Sequence, residues 1–389
     1  MAAYSFEDLT QKYQYFQHPD VVIEINDKNI CDNKSTFAVS DIVVDLTSGY
    51  EASVVEFNIY NVYDATKATF NFEDVKKYIL LGSKVEVYLG YAGTAKSVFV
   101  GAITRVSFQF EKYEIPCIHV TAMDVKGIMM SGSYSKQLRA TNYSDAVEEI
   151  LGRTAYEKLS GYDIVRSINV TDTPDKLRKL SAGTNDTSDS TIEMVAESDY
   201  EFIVKAAKKN NFEFFTECGH IYFRKVKSNT SILMEIGPHT AMRSFDVTYD
   251  MTGLVEKVVV RGMDVSKAKV ISANKKFSNK ISQGNKAKAL LKGSEKVYID
   301  TTVSTKEEAE DRVNSLMENM SYRYGKLDCE LIGIPELMPG NYIELSGLGT
   351  GADNKFYMNK VKHVLTKNGE YLTRLEGIAA SAGSGNSIF

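Results

Sequence analysis

Residues 333–349, GIPELMPGNYIELSGLG, read as a proline-glycine turn, a short alternating strand and a glycine-rich turn. Pro339 and Gly340 shape the start of that strand, because proline fixes φ and glycine tolerates positive φ; Gly347 and Gly349 shape its end. Sliding the sequence by 258 positions lays 340–364, GNYIELSGLGTGADNKFYMNKVKHV, over 82–106, GSKVEVYLGYAGTAKSVFVGAITRV. Gly82 then meets Gly340, Val85 meets Ile343, Glu86 meets Glu344 and Val87 meets Leu345. Further on, Gly93 meets Gly351, Phe99 meets Tyr357, Ile103 meets Val361 and Val106 meets Val364. Four of these eight pairs are identities, and the pattern predicts an internal duplication of one β-barrel with another unit set between the copies.

The rest of the chain fits that frame. With 389 residues it is too long for one ordinary core and should form two to four units. Its 23 tyrosines and 18 phenylalanines, against 6 prolines and no tryptophan, favour sheet over helix. Phe6, Leu9, Tyr13 and Phe16 recur at helical spacing and predict a short amphipathic arm over residues 1–19. Six β-rich segments follow (21–25, 37–46, 53–62, 84–91, 97–110 and 118–125), with one helical interlude at 71–82, and predict a first antiparallel β-barrel over 20–130. Residues 131–240 read as a smaller α+β unit: Ser198 and Glu201 have capping-box spacing, Phe202, Ile203, Ala206 and Ala207 make an apolar stripe, and a hairpin follows that turns at Cys218 and Gly219. The β texture returns over 241–379, the second barrel. It is interrupted by a lysine-rich excursion at 265–294 and by a helix in which Ala309, Val313, Leu316, Met317 and Met320 share a face. Residues 380–389 read as a flexible Gly/Ser tail tipped by Ile388 and Phe389. The fold class expected is mainly β, two similar antiparallel barrels flanking the α+β unit.

Chemistry is sparse. No zinc-protease, hydrolase-elbow, phosphate-loop or paired-carboxylate pattern stands out, so no catalytic residue, cofactor or metal is expected. GLGTG at 347–351 leads into another strand rather than a helix, which argues for a β-turn and against a phosphate cradle. The five histidines share no ligand spacing, and NDTSDS at 185–190 lacks the Gly and terminal Glu of a calcium loop. Cys31, Cys117, Cys218 and Cys329 are widely separated and read as reduced thiols of a protein made in the cytoplasm. No apolar run could span a bilayer and no signal peptide is visible, so no membrane association is expected. Lysines of the excursion, Lys275, Lys276, Lys280, Lys286 and Lys288 among them, read either as a solvated loop or as contacts to an acidic protein partner. With only Phe277 to stack on bases, and a net charge of −5 overall, the stretch argues against nucleic acid. Ile388 and Phe389 read as a disordered end or as a docking peptide.

Three segments resemble the late control protein D family of contractile phage tails and the hub module of VgrG proteins. The first is ESDYEFIVKAAKKNNFEFF with the hairpin after it, through Glu197, Ser198, Asp199, Tyr200, Phe202, Phe212, Ile221 and Phe223. FDVTYDMTGLVEKVVVRGMD is similar to the strand pair that opens the family's second barrel. The third runs from Gly333 through Pro335, Leu337, Pro339, Gly340, Leu345, Gly347, Tyr357, Val361 and His363 to Leu375. The resemblance implies a structural, non-enzymatic baseplate hub. It would be a homotrimer whose two barrels per subunit present near-sixfold symmetry to a tail tube or tube initiator and threefold symmetry to a spike, among other baseplate proteins. VgrG chains continue into a spike at the point where this sequence ends, so the spike is expected as a separate polypeptide, with Ile388 and Phe389 positioned to dock it. The other classes to test against are a tail-associated cell-wall hydrolase and a single-strand nucleic-acid-binding barrel.

Overall fold

Alternating apolar and polar residues build two sets of six strands with the same plan. The computed structural model describes residues 2–383 apart from 33–36, 141, 154, 157–158, 160, 174–191, 265–266, 278–284, 302 and 350. After α1 (Phe6–Lys12) come β1 (Pro19–Ile25), β2 (Ala38–Thr47), β3 (Val54–Tyr60), β4 (Lys84–Tyr91), β5 (Thr94–Gln109) and β6 (Cys117–Met123). Neighbours in this first set run β2-β3-β6-β5-β4-β1, all antiparallel.

The middle of the chain gives β7 (Tyr134–Leu138), α2 (Tyr143–Leu151), β8 (Ser167–Val170), β9 (Ile192–Glu197), α3 (Asp199–Asn210), β10 (Phe212–Glu217) and β11 (His220–Lys225). The second set then follows as β12 (Ile232–Ile236), β13 (Met242–Tyr249), β17 (Gly325–Ile332), β18 (Tyr342–Leu345), β19 (Asn354–Leu365) and β20 (Tyr371–Ala379). Between β13 and β17 lie β14 (Lys257–Asp264), β15 (Lys269–Lys276), β16 (Glu295–Ile299) and α4 (Lys306–Ser321). Neighbours in the second set run β13-β17-β20-β19-β18-β12, the order of the first set strand for strand. One pairing differs: β12 runs parallel to β18, whereas β1 is antiparallel to β4.

The two sets are not separate sheets. β2 pairs antiparallel with β19, Ile42 to Thr47 against Leu365 to Lys360, which makes one thirteen-stranded sheet with the two-residue strand Lys28–Asn29 at its end. Their inward side chains share one apolar cluster, so the repeats have a common core. The middle unit has its own cluster, as does the insertion of β14–β16 on α4.

Structure refines the alignment of the repeats. Gly82 and Gly340 do correspond: both have positive φ, +83° and +84°, at the start of equivalent strands. On the return strands the equivalence slips. The amide of Gly82 donates to the Ile103 carbonyl and that of Gly340 to the Met358 carbonyl, so the second hairpin is three residues shorter. Ala102 opposite Met123 therefore matches Tyr357 opposite Ile378, and the sequence pairs Phe99/Tyr357, Ile103/Val361 and Val106/Val364 are out of step. The helical interlude is also shorter than expected, a helix only at Phe72–Val75, and the lysine-rich excursion is partly ordered as β15 and a helix at Asn285–Leu291. Of the residues in the acidic NDTSDS stretch, all lie outside the described ones.

At the joint, His363 on β19 is fully buried. Its Nε2 lies 3.2 Å from the Leu337 carbonyl and its Nδ1 lies 3.0 Å from the Tyr371 hydroxyl, which fits a neutral ring donating to the former and accepting from the latter. Burial lowers its pKa from 6.5 to about 4. The unfolded chain takes up a proton at this position below about pH 6.5 while the folded chain resists until about pH 4, so acid favours unfolding in that window. Between pH 7 and pH 5 this group alone should remove about 2 kcal/mol of stability. Urea unfolding at the two pH values should show a smaller loss, by about that amount, in a His363→Gln variant; an unchanged pH dependence would exclude the neutral buried ring.

Candidate functional site

Two groups of the residues singled out in the sequence, around Ser198 to Tyr200 and around Gly340 and Tyr357, lie at junctions between units. On α3, Ser198 is the N-cap: its hydroxyl accepts from the Glu201 amide at 3.1 Å, and the Glu201 carboxylate accepts from the Ser198 amide at 2.7 Å. Glu197, on β9, pairs with Lys205 at 2.6 Å. Asp199 accepts from Arg153 at 2.7 Å and from the Tyr156 hydroxyl at 2.8 Å, tying α3 to the segment after α2. Tyr200 donates to the Tyr50 carbonyl at 3.1 Å, and the Tyr50 hydroxyl donates to the Phe212 carbonyl at 3.0 Å, so this turn of helix is stitched to the β2–β3 connection. Phe202 is fully buried in the middle cluster. Asn211 closes the helix at φ 57°, and Cys218 and Gly219 turn the β10–β11 hairpin with φ of 47° and 84°.

The second group meets a buried charge that sequence reasoning passed over. Glu213, on β10, accepts from Arg224 Nε at 2.6 Å and from the Tyr357 hydroxyl. Arg224 also donates to the Gly340 carbonyl at 2.7 Å, so the middle unit grips the second set where the Pro339–Gly340 turn begins. Burial beside the Glu213 carboxylate raises the Tyr357 hydroxyl well above its ordinary pKa and keeps it a proton donor. Gly347 and Gly349, with φ of 75° and 99°, stand apart from this knot in the turn after β18, which Asp353 holds by accepting from the Leu348 amide at 2.8 Å.

Three further knots have the same character. Glu86, on β4, takes both carboxylate oxygens to Arg166 at 2.7 and 2.9 Å. Asp124 accepts from the Ser53 amide at 3.0 Å and from the Thr216 hydroxyl at 2.5 Å, next to a fully buried Lys126 whose ammonium donates to the carbonyls of Gly49 and Glu51. Burial pushes the Lys126 pKa down. Glu336 accepts from Tyr13 at 2.8 Å and Lys12 at 2.7 Å, clamping the N-terminal arm on the second set. A lone charge in an apolar strand, as in VEV around Glu86 or FEFF around Glu213, is the signal that could have marked two of these. Glu344, aligned with Glu86 in the sequence, instead pairs at the surface with Lys355 at 3.8 Å.

Lys275, Lys276 and Lys286 are exposed; Lys280, the side chain of Lys288, Ile388 and Phe389 lie outside the described residues. Among the described residues no three His, Cys, Asp or Glu side chains are grouped as a metal would need, and the four cysteines are unpaired thiols. A cleft of about 920 Å³ separates α3 from α4; Lys205, Lys208 and Lys209 line one wall, Glu307, Glu308 and Asp311 the other, and no histidine or cysteine lines it. No described helix is long and apolar enough to cross a membrane.

A family model described as the Alg8 N-terminal domain matches residues 154–367, more than half of the chain. The chain belongs to the Alg8 N-terminal domain family. No curated protein matches it at a significant level. Among solved structures, this Alg8 N-terminal domain family chain is similar to a tail protein from Neisseria meningitidis MC58, with a TM-score of 0.65 at 10% identity over 93% of this chain and 97% of that one. It is equally similar to the 43 kDa tail protein of prophage MuSo2 from Shewanella oneidensis, with a TM-score of 0.65 at 12% identity over 93% and 98% of the two chains. A third likeness is to the E. coli c3393 protein, described as a type VI secretion component similar to T4 bacteriophage tail proteins gp27 and gp5, with a TM-score of 0.53 at 10% identity over 94% and 80%. The fold is therefore that of phage tail proteins, mainly β as the sequence implied.

Gly340 offers a direct test of the knot. A Cβ there would lie 2.8 Å from the Phe215 ring and 3.0 Å from Arg224 Nη2, at a φ unfavourable to any other residue; at Gly349 it would meet nothing. Thermal unfolding should show Gly340→Ala losing at least about 2 kcal/mol and Gly349→Ala about 1 kcal/mol. Equal losses would mean that the Arg224–Gly340 contact does not constrain this turn.

Proposed function

We propose that this chain is the non-enzymatic central hub of the baseplate of a contractile injection particle, such as a phage tail or tailocin, assembled in the bacterial cytoplasm. The observation that carries the reading is the repeated strand order of the two six-stranded sets. Three copies of such a chain hold six equivalent sets, which suits a ring that meets a sixfold tube on one side and a threefold spike on the other. The likeness of nearly the whole chain to two phage tail proteins and to a type VI secretion component supports it.

In this reading the chemistry is geometric. Pro339, Gly340, Gly347 and Gly349 fix where β18 sits, the Glu197–Phe202 turn and the buried charges hold the α+β unit against both sets, and the strand edges dock neighbouring rings. The exposed Lys275, Lys276 and Lys286 are proposed contacts to an acidic partner in the particle, and Ile388 with Phe389 a docking peptide for the spike. We further propose a division into an arm (1–19), two barrels (20–130 and 241–379), the α+β unit (131–240) and a tail (380–389).

Mass in solution, measured with and without a co-expressed spike protein, tests the reading. A trimer, in at least one of the two states, is expected; a monomer in both would overturn it. Removal of residues 380–389 should reduce co-purification with the spike several-fold, and undiminished co-purification would remove the tail from the docking surface.

A further inference from the structure

Each repeat has an insertion that carries uncovered apolar side chains. In the first set, β5 has 16 residues where the equivalent β19 has 12, and the connection to β6 is FEKYEIP, 110–116. Tyr113 is 90% exposed and Ile115 73%, and Phe110 is exposed beside them. Phe108 and Phe110 are braced from behind by Phe70, Phe72 and Tyr63, with ring centroids 5.2 to 5.4 Å apart. At the equivalent tip of the second set stands TKNGE, 366–370, with no apolar side chain.

In the second set the insertion is the β14–β16 sheet. α4 covers the face bearing Val258, Val260 and Ala273. Strand register places Val259, Arg261, Met263, Val270, Lys276, Val297 and Ile299 on the opposite face; Val259 is buried there, but Ile299 is 82% exposed, Val270 67% and Met263 50%. That face is apolar with a basic surround: Lys257 pairs with Glu295 and Lys276 with Glu256 at 3.9 Å, and Arg261 stands exposed between them. The hairpin tip is apolar with an acidic surround, Glu111 and Glu114 against Lys112.

We propose that the two surfaces are the halves of one contact between copies of this chain: the tip at 108–115 seats on the uncovered face of β14–β16 in the next copy. Monomers leave few large apolar patches exposed, and these two match in apolar character and oppose in charge. Aromatic rings at the tip would face Arg261, a favourable pairing for a guanidinium. In the trimeric ring of the hub reading the contact would be head-to-tail, each copy giving its tip to one neighbour and its β14–β16 face to the other. The inference rests on the hub reading and adds to it the surfaces that join its subunits.

Cross-linking between copies provides the test. Chains carrying Tyr113→Cys mixed with chains carrying Ile299→Cys should form a disulfide-linked pair on oxidation, and a chain with both changes should give covalent species ending at the trimer. Glu111→Lys with Glu114→Lys should weaken self-association about tenfold, and adding Arg261→Glu with Lys276→Glu should restore it. Absent cross-links, or reversals without effect or without rescue, in a chain that still trimerises would overturn this contact and leave the hub reading standing. A native chain that stays monomeric with and without the spike would overturn both.

Discussion

The whole arrangement hangs on a six-residue ladder, Ile42 to Thr47 of β2 against Leu365 to Lys360 of β19. It is where two copies of one strand plan become a single sheet, and strand periodicity makes its register unforgiving. Val44, Leu46, Val361 and His363 point into the shared core, while Asp45 and Lys362 pair outside at 2.9 Å. A slip of one residue would send the charges inward and the core residues out. The Tyr91 hydroxyl, bonded to the Gly333 carbonyl at 2.9 Å, fixes the repeats a second time at a distance from the ladder. Neither repeat is therefore an independent module, and a change in one shifts the other.

The middle unit is held differently, by buried charges. Glu86–Arg166 joins the first set to the α+β unit, Asp124 beside Lys126 accepts from Thr216 of that unit, and Glu213–Arg224 lies within it and reaches Tyr357 and Gly340 of the second set. Such pairs add little net stability, because desolvation offsets their attraction, but breaking one leaves an uncompensated charge. Their effect is to penalise wrong placements of the unit more than to deepen the right one. The proposed hub, which would keep a fixed geometry between a tube and a spike, would benefit from that kind of constraint.

How much of this was legible depended on the range of each signal. Local signals read well: the capping box at Ser198 and Glu201, the turn at Cys218 and Gly219, and the positive-φ glycine at 340 are all where the residue types put them. Gly93 with Gly351, and Val106 with Val364, misled the alignment of the return strands, because identity cannot detect a hairpin shortened by three residues; only the hydrogen bonds of Gly82 and Gly340 reveal it. The β2–β19 ladder had no local signature, since both strands alternate as any half-buried strand does. Arg224 and Lys126 were invisible for the opposite reason. Each looks like an ordinary surface charge until the fold buries it.

Duplication also explains why the differences between the repeats carry information. In the proposed trimer, features common to both sets would recur six times and features present in one set three times. The parallel β12–β18 pairing, the aromatic β5–β6 tip and the β14–β16 sheet with α4 all belong to the second kind. Under that proposal a ring joining a sixfold tube to a threefold spike would have to break its own repeat somewhere, and strand order alone would not do it. In this chain the shared plan lies in the core, where packing resists change, and the departures lie in insertions that leave that core intact.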